Sequence, residues 1–455
     1  MQRLIQAVIV FIGIVLSSGI SPALSDILKS EDKNKGWYYS ISGGLALDAE
    51  ADLEATTSDF HPTTLVLRST EKYTGTSSLG TSFSGELGVG YDFGKIRTEL
   101  TYGYTPRTSE SLSFKDSEGD EVSVPFAHSF NISRSKNKWY DIIYVYIIDG
   151  EFIGRGEAAP NSRYNESADQ ILKLLEKIHL PKEVKDRESI FEYILPQLQN
   201  IKSLEAAFSI ALWDWWSQRK GKTVYNMLGA DKKNITPTSY TIGITKIDDI
   251  EEKIKESDPY KILKVKLGTK NDKEIITEIR KHTDKLIRVD ANEGWSVMDA
   301  VKLTYWLADQ NIELIEQPFP ANKLNDTLYL KSKSPLDIYA DENSLNSSDI
   351  SKIFKAFDGI NIKLMKCGSI EEAKKMIREA NKYKLKVMLG CMVESSVAIT
   401  AASSIASMVH KIDLDGNLLI TNDPYKGVLI KDGTLELNDK IGLGLSLNKT
   451  KRGLI

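Results

Sequence analysis

The sequence predicts an α/β protein: a (β/α) barrel in the C-terminal half, preceded by a β-rich N-terminal extension. Three observations carry this. From Thr238 onward, short β-branched runs alternate with helix-period runs, and the candidate strands end near Ile244, Leu267, Asp290, Glu316, Asp341, Leu364, Cys391 and Asp415. Successive ends lie 23 to 27 residues apart, the length of one strand and one crossover helix, and eight such units make a barrel. The first 120 residues lack that rhythm, and within them 83–104 alternates with period two instead.

Length and composition set the frame. The 455 residues allow about three domains at roughly 150 residues each. Hydrophobic residues make up 41% and charged residues 27% of the chain, and 59 basic against 63 acidic residues leave a net charge of -4. No basic excess marks a nucleic acid or an anionic membrane as partner. Cys367 and Cys391 are too few for a disulfide framework and match no zinc-ligand spacing. Both read as buried small apolar residues.

The N-terminal elements come first. Residues 1–25 carry an early Arg3, an apolar run over 7–16 and a small-residue Ala23-Leu24-Ser25, the pattern of a secretory signal. The run is shorter than the roughly 20 residues a membrane span needs, so a retained anchor is the weaker alternative. In 83–104, Phe83, Leu87, Val89, Tyr91 and Phe93 take odd positions and Ile96, Leu100, Tyr102 and Tyr104 even ones. The switch across Gly94-Lys95 predicts a hairpin. Its aromatics resemble those of an outer-membrane β-barrel, but three or four strands are too few to close one, and an open sheet in lipid leaves edge N–H and C=O groups unsatisfied. No functional membrane barrel is expected, and any membrane association rests on this N-terminal segment.

The segment 141–148 reads as a strand, and 154–160, GRGEAAP, as a loop. Helical faces follow. Ile171, Leu174, Leu175 and Ile178 form one, and Leu204, Ala207, Phe208, Ala211, Leu212 and Trp215 another. The span 203–229 predicts a long amphipathic helix, a turn and a short helix. Trp213, Trp215 and Trp216 suit core packing better than a binding platform.

Strand-end residues select the chemistry. Asp290, Glu316 and Asp341 close three consecutive strands, and loops after barrel strands converge on one face. Any one of them alone reads as a helix cap or a solvated charge. Three repelling carboxylates in order predict a cation, and an all-oxygen ligand set suits Mg²⁺. Period two puts Lys264 and Lys266 inside the barrel, and Lys363 ends the sixth strand on the far side of the trio. A buried lysine is unstable as a charge unless paired or functional. Lys264 beside Lys266 supplies the like-charge push that lowers a base toward working pH. Lys366 follows the strand and reads as a solvated loop residue. Two lysines facing each other across a metal can each serve one face of a carbon acid, as epimerisation requires.

K-x-K, D-A-N, E-Q-P, A-D-E and N-I-K, in this order and at barrel spacing, resemble the enolase superfamily, muconate-lactonizing subgroup, from about Pro125 onward. The resemblance implies an enolase-like α+β capping domain over a modified (β/α)₇β barrel. It also implies essential Mg²⁺ and proton abstraction α to a carboxylate through a metal-stabilised enediolate. It casts Lys266 and Lys363 as acid/base catalysts, Lys264 as their assistant, and Asp290, Glu316 and Asp341 as ligands. Homo-oligomers are usual in the family. The expected division is a signal-like segment 1–25, a β-rich, outer-membrane-protein-like segment 26–120, a cap 121–236, the barrel 237–425, and a segment 426–455 returning to the cap.

On the eighth strand, Asp413 and Asp415 form a D-x-D that resembles the dipeptide epimerases, including the L-Ala-D/L-Glu type, where the pair holds the substrate's α-ammonium. Thr241 matches a substrate-contacting position, and Glu394 lies beside the site. The expected reaction is two-base 1,1-proton transfer on the C-terminal residue of an Ala-Glu or Ala-Ala type dipeptide. Two loops, 126–135 and 158–164, set the second residue. Arg134 is at hand there, but the position that holds arginine in Ala-Glu epimerases is Asn131, which favours a small or apolar second residue equally. Alternatives are an o-succinylbenzoate synthase, an N-acylamino-acid racemase, or an envelope β-protein with a passenger barrel. Residues 111–124 are polar where the family opens its cap with a strand. Either 121–126 gives a shortened strand or that edge is missing, and the abrupt change near residue 120 suggests a fusion or an assembly error. Export to the periplasm, near peptidoglycan peptides, follows if the signal is genuine, and a cytoplasmic location if it is not.

Overall fold

The computed structural model describes residues 140–181, 186–420 and 422–448 in full, together with the backbone of strands between Gly36 and Asn137. These strands are Gly36–Ala46 (β1), Asp52–Phe60 (β2), Leu67–Thr76 (β3), Ser82–Asp92 (β4), Arg97–Tyr104 (β5), Ser111–Lys115 (β6), Glu121–Pro125 (β7), Phe130–Ile132 (β8) and Ser135–Asn137 (β9). The signal-like residues 1–25 and Arg134 lie outside the described residues. The hairpin expected over 83–104 forms as β4 and β5, paired from Asp92↔Arg97 to Gly85↔Tyr104.

Ile143–Asp149 (β10) and Phe152–Ala158 (β11) form the next hairpin. Ile143, Val145 and Ile147 are buried while their neighbours are only partly covered, so period two survives with one face on the helices. β11 runs through the stretch expected as a loop, and its glycines explain why. A Cβ on Gly154 would lie 2.1 Å from the carbonyl oxygen of Ala211, and one on Gly156 1.9 Å from that of Ala207. Alternate glycines let the helix Lys202–Arg219 rest directly on the strand. Trp215 is fully buried in this layer with Trp216 packed beside it, and Trp213 packs on the opposite side against the barrel core, as expected for core aromatics.

The edge of β10 is taken by β5, in the sheet order β1-β4-β5-β10-β11. The register sets Tyr102 opposite Ile143 and Leu100 opposite Val145. Glu121–Pro125 pairs instead with Ser111–Lys115, in a four-stranded sheet β2-β3-β6-β7. Of the two expectations for the cap edge, neither describes the structure: a strand exists at 121–125, but Arg97–Tyr104 occupies the edge.

The barrel follows the expected rhythm. Ser239–Ile242 (β12), Ile262–Lys266 (β13), Leu286–Asp290 (β14), Ile312–Glu316 (β15), Asp337–Ala340 (β16), Gly359–Ile362 (β17), Lys386–Gly390 (β18) and Lys411–Asp413 (β19) form one eight-stranded sheet in sequence order. All its pairings are parallel. A bridge from Thr238 to Ile412 joins first to last. Strands buried on both faces need helices outside, and one stands in every interval, from Ile250–Glu256 to Ser396–Ser403. After β19 only a 3₁₀ turn, Gly416–Leu419, follows, which makes the barrel (β/α)₇β. The chain then returns to the cap helix, where the Leu443 N–H donates to Asp214 Oδ1 at 2.8 Å. Among the described residues no helix is long and apolar enough to cross a membrane.

Candidate active site

The barrel's strand register assembles the site. Lys266 pairs with Asp290 and Asp290 with Glu316 across three neighbouring strands. Asp341 and Lys363 each follow the last residue of the next two. The order around the rim is therefore lysine, three carboxylates, lysine. Asp290, Glu316 and Asp341 are buried and offer one oxygen each within 4.8 Å of one another. Lys266 Nζ donates to Asp290 Oδ2 at 2.7 Å, and Lys363 Nζ to Asp341 Oδ2 at 2.9 Å. Lys264 sits between, 2.6 Å from Asp413, 2.8 Å from Glu316 and 3.3 Å from Asp290.

Two like charges 4.8 Å apart repel by about 3.5 kcal/mol at an effective dielectric near 20, so the trio is stable only against cations. Burial raises the Asp290 carboxyl, but Lys266 and Lys264 outweigh it and hold it below the ordinary range. Asp341 is held well below its range in the same way, by Lys363 and Lys366 against burial. Glu316 goes up, through burial and then the Asp290 charge. Its Oε2 accepts no hydrogen bond, although Lys264 is near. Burial pushes Lys363 down, yet Asp341 and Glu316 carry it above the ordinary lysine value. The Lys264 ammonium opposes this rise, but the two carboxylates prevail. Three carboxylate oxygens from three strands, one without a hydrogen bond, fit a hard divalent cation such as Mg²⁺.

Lys366 is not solvated. Lys363 is the N-cap of the short helix Leu364–Cys367, and one turn returns Lys366 to the same side as Lys363. The Lys366 ammonium is buried and reaches Asp341 Oδ1, the Asp341 carbonyl at 2.7 Å and the Asn361 carbonyl at 2.9 Å. Asn361, also absent from the sequence-derived site, donates from Nδ2 to Glu316 Oε1 at 2.8 Å. Its side chain fills the space that a Cβ on Gly390 would enter, 2.5 Å from Asn361 Oδ1. Cys367 is buried as expected, whereas Cys391 is partly exposed, with Sγ 3.3 Å from the Asp413 carbonyl.

On the eighth strand, Asp413 has both oxygens engaged, Oδ2 by Lys264 and Oδ1 by Ser239 Oγ at 2.6 Å. Asp415 accepts the Thr241 N–H at 2.5 Å. Burial, then the Asp413 charge, lifts Asp415 to about 7. Glu394 is buried, accepts the Met392 N–H at 2.7 Å, and is pushed to about 8 by burial and then Glu157. Glu157, on β11 of the cap, accepts the Ser395 and Ala398 N–H groups at 2.7 and 3.0 Å. It thereby caps the helix Ser396–Ser403 from another layer and fixes cap to barrel. Asn131 lies on β8, paired with Lys136. In the second loop, Arg163 forms a two-point pair with Glu293, both contacts at 2.9 Å.

A (β/α)₇β barrel with a rim of three carboxylates between two lysines, closed by an α+β cap, defines a class. The profile of the family described as enolase C-terminal domain-like matches residues 248–451. An L-Ala-D/L-amino acid epimerase of Flavobacterium johnsoniae is 36% identical over 72% of this chain and 98% of its own length. An L-Ala-D/L-Glu epimerase of Bacteroides thetaiotaomicron is 40% identical over 70% and 84%. Among solved structures, a dipeptide epimerase from Cytophaga hutchinsonii, complexed with Mg and D-Ala-L-Val, superposes with a TM-score of 0.66 at 29% identity, covering 72% of this chain and 94% of that one. The chain belongs to the dipeptide epimerase family of the enolase superfamily.

Proposed function

We propose that the protein is a Mg²⁺-dependent dipeptide epimerase that inverts the α-carbon of the dipeptide's C-terminal residue. The observation that carries this is the placing of Lys266 and Lys363 on opposite flanks of the carboxylate trio. In this reading Asp290, Glu316 and Asp341 hold the ion. When bound, it offsets the negative charge that develops on the substrate carboxylate. Lys266 and Lys363 each address one face of the α-carbon: one removes the proton to Nζ while the other delivers a proton from its own Nζ. Lys264 neutralises the surplus charge between the trio and Asp413. Asp415, backed by Asp413, receives the α-ammonium, with Thr241 orienting Asp415 through its N–H.

An α-ammonium site disfavours o-succinylbenzoate synthesis and N-acylamino-acid racemisation, whose substrates carry none. A passenger barrel disfavours itself, since an intact set of buried ionic residues is costly to keep without use. For the second residue, Arg163 is already taken by Glu293 and position 131 is Asn. We infer a small or apolar residue, as in Ala-Ala, over Glu. Export through residues 1–25 and self-association are read by the mass of the mature protein and by sedimentation velocity. The test of function is ¹H NMR in D₂O with purified protein, Mg²⁺ and a dipeptide panel. Loss of the C-terminal α-proton signal, with the other diastereomer appearing, is expected. No exchange with any member overturns the reading.

A further inference from the structure

Lys366 has no part in the chemistry above, yet it is as deeply buried as the lysines that do. Its three N–H donors meet three acceptors: Asp341 Oδ1, the Asp341 carbonyl and the Asn361 carbonyl. No proton is left to point at a substrate, so the arrangement excludes Lys366 as an acid in place of Lys363. What it does join is informative. Asp341 ends one strand, Asn361 belongs to the next, and the Asn361 side chain holds Glu316. One ammonium thus ties together the groups that fix two of the three carboxylates. It also divides the oxygens of Asp341: Lys366 takes Oδ1, and Oδ2 is the oxygen 2.9 Å from Lys363.

We propose that Lys366 is a positioning residue that assigns the two oxygens of Asp341. By occupying Oδ1 it leaves Oδ2 as the one Asp341 can offer to a cation, and it keeps Lys363 from being drawn in as the sole counter-charge of Asp341. The proposal rests on the metal reading of the trio. Without Lys366, Asp341 has two oxygens and only Lys363 beside it. The ammonium of Lys363 is then held more closely by the carboxylate, at the expense of its own face of the substrate. Lys266, three strands from Asp341, does not share that fate. The predicted signature is therefore asymmetric: metal affinity falls, and proton exchange falls far more on the Lys363 face than on the Lys266 face.

The experiment compares wild type, Lys366→Met and Lys366→Arg, with Glu316→Gln as a control for the trio. Mn²⁺ binding is followed by EPR without substrate, and exchange of each diastereomer of the preferred dipeptide is followed in D₂O. Lys366→Met is expected to bind Mn²⁺ about 10- to 100-fold more weakly, the range for groups that orient metal ligands. Its exchange from the two diastereomers should become unequal, with the Lys363-dependent rate the lower. Lys366→Arg keeps the charge but cannot aim three bonds from one nitrogen, so the same inequality should appear in smaller measure. It carries the test by itself if Lys366→Met does not fold. Wild-type Mn²⁺ affinity in the variants, or equal slowing from both diastereomers, overturns the proposal. Wild type that binds Mn²⁺ no better than Glu316→Gln overturns the metal reading instead, and the proposal with it.

Discussion

At the N-terminal end of the barrel, the buried Arg288 guanidinium donates to Glu313 at 2.7 Å and to the Ile412 carbonyl at 2.5 Å, and Lys411 meets the same Glu313 from β19. At the C-terminal end, Asp290, Glu316 and Asp341 crowd within 4.8 Å, Glu316 keeps an oxygen without a hydrogen bond, and Asp415 is lifted to about 7. Leu314, Tyr339 and Met388 form a separate apolar layer; by strand parity Leu314 and Tyr339 face the lumen beneath Glu316 and Asp341. Both ends are ionic and largely buried, yet only one is closed on itself. In the lower network two cations close round one carboxylate, and Glu313 is held below its ordinary range by Arg288 against burial. The upper network keeps like charges together, a disposition that suits a divalent cation. Burial of charge alone does not mark function; burial of unresolved charge does.

Substitutions can break that contrast. The largest effect is expected at the upper end. Asp290→Asn or Glu316→Gln removes a ligand and should cost about a thousandfold in epimerisation, several kcal/mol of lost charge stabilisation. Mg²⁺ affinity by calorimetry should fall with it, while the thermal stability of the metal-free protein should stay level or rise in Glu316→Gln, whose charge is disfavoured, and fall in Asp290→Asn, which strands the buried Lys266 ammonium. Retained metal affinity in both variants would erase the distinction between the two ends.

A smaller effect of opposite character is expected below. Glu313→Ala strands the buried Arg288 charge and should destabilise the fold by about 3 kcal/mol, read by urea denaturation. Exchange per folded molecule should be unchanged. A variant that stays stable but loses activity would make the lower network functional too.

The smallest effect sharpens the upper end from the substrate side. Asp415→Asn should raise KM for the dipeptide about 10- to 100-fold, the loss of one charge-assisted contact, with kcat largely kept. The sign of the pH dependence follows from its position. Above about 7 Asp415 is a carboxylate in the free enzyme, and below it the group is neutral and no longer attracts an ammonium. Hence kcat/KM should fall as pH drops through about 7, and Asp415→Asn should abolish that inflection. An unchanged profile in the variant would assign the titration to another group.

The sequence was most readable where strand parity decides. Asp290 and Glu316 stand at the last residue of a strand, and Lys264 and Lys266 on its inner face, because a period of two leaves them no other direction. Asp341 and Lys363 were legible one residue further on. Lys366 reads as solvated in the sequence because its direction depends on a single helical turn after the strand, though its spacing of three from Lys363 carries the signal that places it. Asn361 was missed because a lone amide on a strand carries no pattern. The stretch 154–160 reads as a loop because its glycines suggest a turn, whereas in the structure they allow a helix to touch a strand. The cap edge was beyond reach for a different reason: which strand covers β10 depends on a long-range pairing with Arg97–Tyr104, and no local period encodes it.

The central claim, that two lysines serve the two faces of one carbon, is tested most directly by following α-proton exchange in D₂O from each diastereomer of an active dipeptide, in wild type, Lys266→Ala and Lys363→Ala. Each variant should lose epimerisation by at least about a hundredfold yet keep exchange from one diastereomer only, and the surviving diastereomer should differ between the two variants. Loss of the same diastereomer in both, or continued epimerisation in either, would contradict the account.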